Sequence, residues 1–391
     1  MQDSKPGSFR AMALLNDYVS SDLQLALGQN HHSLVAVLQQ VHSEIRSRQG
    51  FAPLRRVAVA LYHPSIDTAA TLVESCLGGA GLGHHEATLS ASNSLRQLAA
   101  TGQPRVIDEF KVDAVGRDAA LYARGYRSSM TCPIYSDDGL FGFVFFDADQ
   151  PRFFDEAKTP ILGTYAKVIA LLLMHELLGV RLMKAVTKTA LAMARLRDDE
   201  TGTHLERMAN YARVIAREGA GTWGLDDEFI EFLFLFAPLH DIGKVGVPDQ
   251  ILLKPGKLDP DEMVQMRRHV SYGAEIMDSL VSEFGFSAVP HLDIARNIIA
   301  GHHENVDGSG YPKGLAGTDI PLEARIVAVA DVFDALTSDR PYKSRWPNEE
   351  AFAYIKGLAG KKFDRDCVEF FLRRQDEIVA IQQRIRDVLA A

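Results

Sequence analysis

The chain has 391 residues, too many for one ordinary domain and enough for two or three. Hydrophobic residues make up 47% of it and charged residues 24%, a balance that excludes a disordered or fibrous chain. Its net charge of −9 argues against long DNA or RNA as a partner, since a non-specific nucleic-acid binder is normally basic, but it leaves room for a small anionic substrate where basic side chains cluster.

Met1-Gln2-Asp3-Ser4-Lys5 has no basic region leading into an apolar core, so no secretory signal is expected. The longest strongly apolar stretch, Val168 to Val180, contains His175 and Glu176 and falls short of the roughly 20 residues of a membrane span. No span is therefore expected. Cys76, Cys132 and Cys367 lie far apart, with neither metal-ligand spacing nor a disulfide framework, which fits a reducing cytoplasm.

In chain order, residues 20–50 read as helix, with Leu34, Val37, Leu38 and Val41 at mixed three- and four-residue spacing. Arg56 to Tyr62 reads as a strand ended by His63-Pro64, and Ala70 to Cys76 as another ended by Gly78-Gly79. A short helix fits Ser92 to Ala100, closed by Gly102 and Pro104. Strands fit Met130 to Tyr135 and Leu140 to Phe146, joined by a turn containing Asp138-Gly139, a hairpin signal. The N-terminal third is expected to be α+β with an antiparallel sheet.

From Asp155 the pattern turns helical. Asp155 can cap, and Pro160 falls near the first turn, where proline is least costly. Tyr165, Ile169, Leu172, Leu173 and Leu177 belong to an apolar face that suits a linker helix pairing in a parallel dimer; the bland alternative is a helix packed on its own domain. After residue 187 every clear element is helical.

The chemistry sits in that second half. Glu200 and His204 are four apart, on one helical face; alone, such a pair is usually a solvated surface pair. His240-Asp241 follows Phe232 to Leu239, an apolar run that must be buried, and Pro238 interrupts the helix there. Burying Asp241 is costly unless it is paired or metal-bound, and its two oxygens can bridge two cations. Asp259-Pro260-Asp261-Glu262 is a helix start, and His269 is expected within that helix. His302-His303 end the helix containing Ile294, Ile298 and Ile299; pointing about 100° apart, they suit neighbouring metals better than one. Asp331 follows the apolar run Ile326 to Ala330. Five imidazoles and three carboxylates without a thiolate suit iron, manganese, zinc or nickel rather than calcium. They are too many for one tetrahedral zinc and suit two or three metals sharing bridging groups, as in phosphoester hydrolysis.

His240-Asp241-Ile242-Gly243-Lys244 followed by Gly310-Tyr311-Pro312 resembles the HD-GYP family of cyclic-di-GMP phosphodiesterases, a branch of the HD metal-dependent phosphohydrolases. The likeness extends over most of residues 187–391. It takes in Leu239 to Asp249, His302 to Glu304, Asp307 to Leu315, Ala330 to Thr337 and Arg340-Pro341-Tyr342. The resemblance implies that His204, His240, Asp241, His269, His302, His303 and Asp331 are metal ligands, with Glu200 an additional ligand of a third metal. It implies that Lys244 acts on the scissile phosphate, beside Asp241 in the catalytic centre. It makes Lys313, Arg340 and Lys343 substrate contacts, with Tyr311 either stacking on substrate or packing its loop. The implied cofactors are two to three transition metal ions, iron or manganese. His291 has no matching role and is left structural.

The order of helix, strands and hairpin over residues 20–175 also resembles a GAF domain, a small sensory module with a ligand cavity. Adjacent His84-His85 and Cys132 are better read as loop histidines and a buried thiol than as a haem or metal site. The expected architecture is multidomain: an N-terminal tail (1–19), an α+β GAF-like sensor with an antiparallel sheet (20–154), a long linker helix (155–186) and an all-α HD-GYP catalytic domain (187–391). The expected function is hydrolysis of cyclic-di-GMP to pGpG, and on to GMP where three metals are held. The expected mechanism is in-line attack on phosphorus by a metal-bridging hydroxide. The expected protein is a cytoplasmic homodimer regulated by an unidentified small ligand of the sensor. Two alternatives stay open: a phosphodiesterase for another cyclic dinucleotide such as cyclic GMP-AMP, and a catalytically silent dinucleotide receptor.

Overall fold

The structure, a computed structural model, describes residues 33–78, 81–111, 116–137, 139–195, 202–284, 289–339 and 344–390. Glu200, Arg340 and Lys343 lie outside the described residues, as do the tail 1–19 and Asp138. The chain divides into two compact units, Met1–His175 and Glu176–Ala391.

In the first unit, helix α1 (Leu34–Ser47) starts where the Ser33 hydroxyl accepts from the Val35 amide. Its buried stripe of Leu34, Leu38, Val41 and Ile45 packs on strands β1 (Leu54–His63) and β2 (Thr68–Cys76). The other strands are β3 (Glu86–Thr88), β4 (Arg105–Ile107), β5 (Ser128–Ser136) and β6 (Gly139–Ala148). All pairings are antiparallel, in the order β3-β2-β1-β6-β5-β4. The expected sheet is therefore present, and β3 and β4 extend it at both edges. Three residues give too short a pattern for either edge strand to show in the sequence. Strand β1 is buried on both faces, which is why it reads as an apolar run rather than an alternation. One face carries Ala58, Ala60, Phe143 and Phe145 in a cluster with Leu95 and Leu98 of helix α2 (Asn93–Thr101). The expected helix from Ser92 is present, with Ser92 as its cap. Helix α3 (Gly116–Ala123) is not anticipated by the sequence reading.

Helix α4 (Lys158–Arg195) contains the boundary between the two units. Asp155 Oδ1 accepts from the amides of Ala157 and Lys158, the expected cap. The window Lys158–Leu182 is long and apolar enough to cross a membrane by length and composition, which the Val168–Val180 count does not register; 44% of it is buried inside the protein. The free apolar face also differs from expectation. Leu173 is buried within its own chain, whereas Leu171, Leu178 and Leu182 are exposed.

The second unit is mostly helical. Helix α5 (Gly202–Trp223) packs against α6 (Asp227–Phe236), α11 (Leu322–Thr337), α13 (Arg365–Arg373) and α14 (Gln375–Ala390). Between them in sequence run α7 (Asp249–Leu252), α8 (Pro260–Arg267), α9 (His269–Phe284), α10 (Leu292–Gly301) and α12 (Asn348–Gly357).

Candidate metal centre

The centre is assembled where helices end. Asp226 caps α6 through the Phe229 amide, and the buried Phe232, Leu233 and Phe236 carry the helix inward. Pro238 lacks an amide donor, and the chain tightens into 3-10 turns over Ala237–Leu239 and Ile242–Gly246, with His240-Asp241 at the corner. Gly243 lets this corner lie against the start of α9: a Cβ there would fall 1.8 Å from the His269 carbonyl oxygen.

His269 departs from expectation. The Asp259 capping box is present, but α8 ends at Arg267 and His269 opens the next helix. That break allows His269 Nδ1 to reach back to the Met266 carbonyl at 2.7 Å.

The hydrogen bonds at Nδ1 fix how four histidines face the centre. His240 Nδ1 meets the Ala237 carbonyl at 3.0 Å, and His302 Nδ1 meets the Ile298 carbonyl at 3.0 Å. His204 Nδ1 lies 2.8 Å from Asp334 Oδ2. Carbonyl and carboxylate oxygens only accept, so Nδ1 carries the hydrogen and, in the neutral ring, Nε2 presents a lone pair. Two groups result. Asp241, His269, His302 and His303 offer ligand atoms within 4.8 Å of one another, and so do His204, His240 and Asp331. Asp241 joins them, with Oδ1 3.2 Å from His269 Nε2 and Oδ2 3.1 Å from His240 Nε2. His302 Nε2 stands 3.6 Å from Asp241 Oδ1, and Asp331 Oδ1 stands 3.6 Å from His204 Nε2 and 3.8 Å from His240 Nε2.

Among the described residues, Nε2 of His240, His269 and His302 and Oδ1 of Asp241 are buried without a hydrogen-bond partner. Lone pairs aimed at a carboxylate oxygen across little more than 3 Å repel unless a cation lies among them. The donor set thus fits metal ions. Burial opposes a charged His240, but the Asp241 carboxylate outweighs it and raises the imidazole to about 9, so a metal ion bound at Nε2 would take the place of a proton held there. Against the cost of burial, Lys244 and His240 hold Asp241 well below the usual carboxylate range. Burial lowers His269, and burial with the His302 charge lowers His303.

His302 and His303 enter the same group, contrary to the separation expected of helical neighbours. Helix α10 stops at Gly301, so His302 is its cap and His303 lies beyond the regular turn, with ring centroids 4.0 Å apart. Lys244 Nζ is 2.8 Å from Asp241 Oδ2. Tyr311 stacks on His303 at 4.7 Å, with the Arg267 guanidinium 4.8 Å from its ring centre. The Lys313 side chain is exposed, while its amide donates to Glu304 Oε1 at 2.7 Å. His291 caps α10 at φ 56° and meets Glu228, a structural place.

Three supporting residues escape the sequence reading. Buried Asp334 orients His204 and is held by Arg207. Its signal was a second acid three residues after Asp331 in the same apolar run. Buried Glu304 also accepts from the Leu315 amide, tying down the loop after His303. Lys362 has its pKa lowered by burial, with Asp331 acting in the opposite direction; nothing near it in the sequence marks it.

Residues 188–367 match the family model described as HD domain, and this part of the chain is an HD domain. A probable cyclic di-GMP phosphodiesterase of Vibrio cholerae serotype O1 is 44% identical over 211 residues, covering 53% of this chain and 48% of that one. The cyclic di-GMP phosphodiesterase response regulator RpfG of Xanthomonas campestris pv. campestris is 45% identical, covering 47% of this chain and 46% of that one. A 3'3'-cGAMP-specific phosphodiesterase 2 of Vibrio cholerae serotype O1 is 41% identical, covering 49% and 34%. The chain spans about half or less of the length of these curated relatives. Among solved structures, the phycocyanobilin-bound GAF domain of a cyanobacterial phytochrome is 17% identical, covers 45% of this chain and 98% of that one, and has a TM-score of 0.32.

Proposed function

We propose that the chain is a metal-dependent phosphodiesterase that hydrolyses cyclic di-GMP to pGpG, with further cleavage to GMP. The observation that carries this reading is the set of buried Nε2 atoms on His240, His269 and His302 facing the two oxygens of Asp241. His269, His302 and His303 would hold one metal, and His204, His240 and Asp331 a second, with Asp241 shared. Glu200 would serve a third. Iron or manganese suits this nitrogen and oxygen set. When bound, the metals supply Lewis-acid charge at the scissile phosphate and a nucleophile at neutral pH. Lys244 holds Asp241 in place and offers a positive charge to a phosphate oxygen. Tyr311, backed by Arg267, presents an aromatic face for a base; Lys313, Arg340 and Lys343 are proposed phosphate contacts.

Elemental analysis of protein purified without chelators, joined to turnover of cyclic di-GMP and cyclic GMP-AMP, tests this reading. Two to three transition metals per chain with faster turnover of cyclic di-GMP are expected. At most one metal would defeat the multinuclear centre. Preference for cyclic GMP-AMP would favour the alternative that the cGAMP-specific relative raises. Metal without turnover, but with dinucleotide binding, would leave a silent receptor.

The same proposal takes the first unit as a GAF-like sensor, residues 155–186 as its linker, the protein as cytoplasmic and the assembly as a parallel homodimer through α4. Leu171, Leu178 and Leu182, at seven- and four-residue spacing, are the exposed apolar residues that support pairing. Leu178→Glu with Leu182→Glu should halve the mass seen by light scattering; an unchanged mass removes the dimer.

A further inference from the structure

The first unit encloses a cavity of about 210 Å³ between β1, β2 and the α2 side of the sheet. Its floor is apolar, with Ala60, Leu95 and Phe145. Three arginines, Arg56, Arg105 and Arg117, also line it. They are brought together from β1, β4 and α3.

The arginines differ in how they are matched. Arg56 is fully engaged, with Nε 2.7 Å from Glu74 Oε2 and Nη1 2.6 Å from Asp147 Oδ2. Ser129 takes the other Asp147 oxygen at 2.6 Å. Arg117 is left with contacts of 3.5 Å to the same carboxylate and lies 4.2 Å from the Phe145 ring centre. Among the described residues, Arg105 Nε is buried without a hydrogen-bond partner, and so is the hydroxyl of Ser94, which also lines the cavity. Among the described residues, Asp118 is the one carboxylate lining the cavity, and it faces two arginines. Burial lowers Arg105 and pulls Arg117 down to about 10, outweighing the pull of Asp118 on the first and of Asp147 and Asp118 on the second. His85, lowered by burial and by Arg117 and Arg56, adds a neutral ring rather than another charge.

We infer that this cavity binds a small organic anion, one carboxylate on a compact apolar body, with the carboxylate between Arg105 and Arg117 and the Ser94 hydroxyl as a further donor. A benzene-sized guest fills a cavity of about 150 Å³, so the ligand has about eight or nine non-hydrogen atoms by proportion. Paired guanidinium groups suit a planar carboxylate, and Ala60, Leu95 and Phe145 suit an apolar remainder. The proposal gives the sensor reading of the first unit a ligand class. It does not depend on the phosphodiesterase chemistry, so the two fail separately.

Benzoate matches the size and charge, and benzamide is its neutral counterpart. Calorimetric titration of the full chain should show benzoate binding at least about tenfold more tightly than benzamide, the factor expected of a charge-assisted contact. Arg105→Gln should weaken benzoate by a similar factor and leave benzamide unchanged, and Ser94→Ala should weaken benzoate without touching any charge. Lys244→Met, in the other unit, should leave benzoate binding as it was. No binding of benzoate at millimolar concentration, equal binding of benzamide, or loss of binding in Lys244→Met would each overturn the assignment. The benzoate and benzamide comparison uses the unaltered chain and stands even if Arg105→Gln fails to fold.

Discussion

Asp334 Oδ2 lies 2.8 Å from His204 Nδ1, while Arg207 Nε donates to Asp334 Oδ1 at 2.6 Å, all within a buried triad. A carboxylate behind an imidazole fixes both the tautomer and the ring orientation. Asp334 therefore acts on the second metal group without joining it. Arg207, in turn, keeps Asp334 charged: burial alone would raise this carboxyl, but bonds from His204 and Arg207 bring it to about 2.

Asp334→Ala should weaken metal binding at His204, His240 and Asp331 by roughly 10–100-fold. It should also destabilise the second unit by about 3–5 kcal/mol, because Arg207 is left buried and unpaired. Metal titration and urea unfolding measure the two effects separately. Asp334→Asn, which keeps an acceptor for Nδ1, should retain more metal than the alanine variant. Equal metal retention in all three proteins would remove the orienting role.

Glu304 gives a second prediction. Its carboxylate receives the amides of Lys313 and Leu315 at 2.7 and 3.0 Å. Glu304→Gln has one oxygen to accept both, and should cost about 1–3 kcal/mol of local stability. Hydrogen exchange over residues 308–315 should quicken, while metal content stays near that of the unaltered chain. Unchanged exchange would mean that other contacts hold the loop, including the close approach at Gly310, where a Cβ would fall 2.3 Å from the Asn305 amide nitrogen.

His42 sets a pH dependence in the first unit. Its ring is buried between the Ser75 hydroxyl and the Leu54 carbonyl, and burial lowers its pKa from 6.5 to about 4. The unfolded chain therefore binds the proton more readily than the folded one across that window. The contribution is present above pH 6.5 and is lost as pH falls through about 4, amounting to up to roughly 3 kcal/mol. His42→Asn should show a shallower fall in unfolding midpoint between those pH values than the unaltered chain. Parallel curves for the two proteins would show that His42 does not carry the effect.

The caps and strands legible in the sequence were those with strong local causes. Asp155 and Asp259 cap as their spacing demands, and Ser92 and Asp226 cap without having been singled out as caps. The long strands β1, β2, β5 and β6 show as apolar runs, whereas β3 and β4 are stabilised by pairing with β2 and β5 and leave little local mark. His269 was misplaced because the Arg267–His269 break has no proline or glycine to announce it.

By itself, the sequence determined that acids and histidines would stand at the ends of apolar helical runs, where burial demands a counter-charge. It also determined the HD motif and the antiparallel sheet of the first unit. Only the tertiary structure decided which nitrogen of each imidazole faces inward, because the Nδ1 partners of His240, His269 and His302 are carbonyls exposed by particular turns. It alone grouped His302 with His303 and set the two oxygens of Asp241 beside His240 and His269, since both depend on where α10 stops and how closely Gly243 lets the corner approach. The arginines of the cavity were silent in sequence for the same reason. Arg56, Arg105 and Arg117 have no common spacing, and only the packing of α3 with the strands β1 and β4 brings them to one cavity.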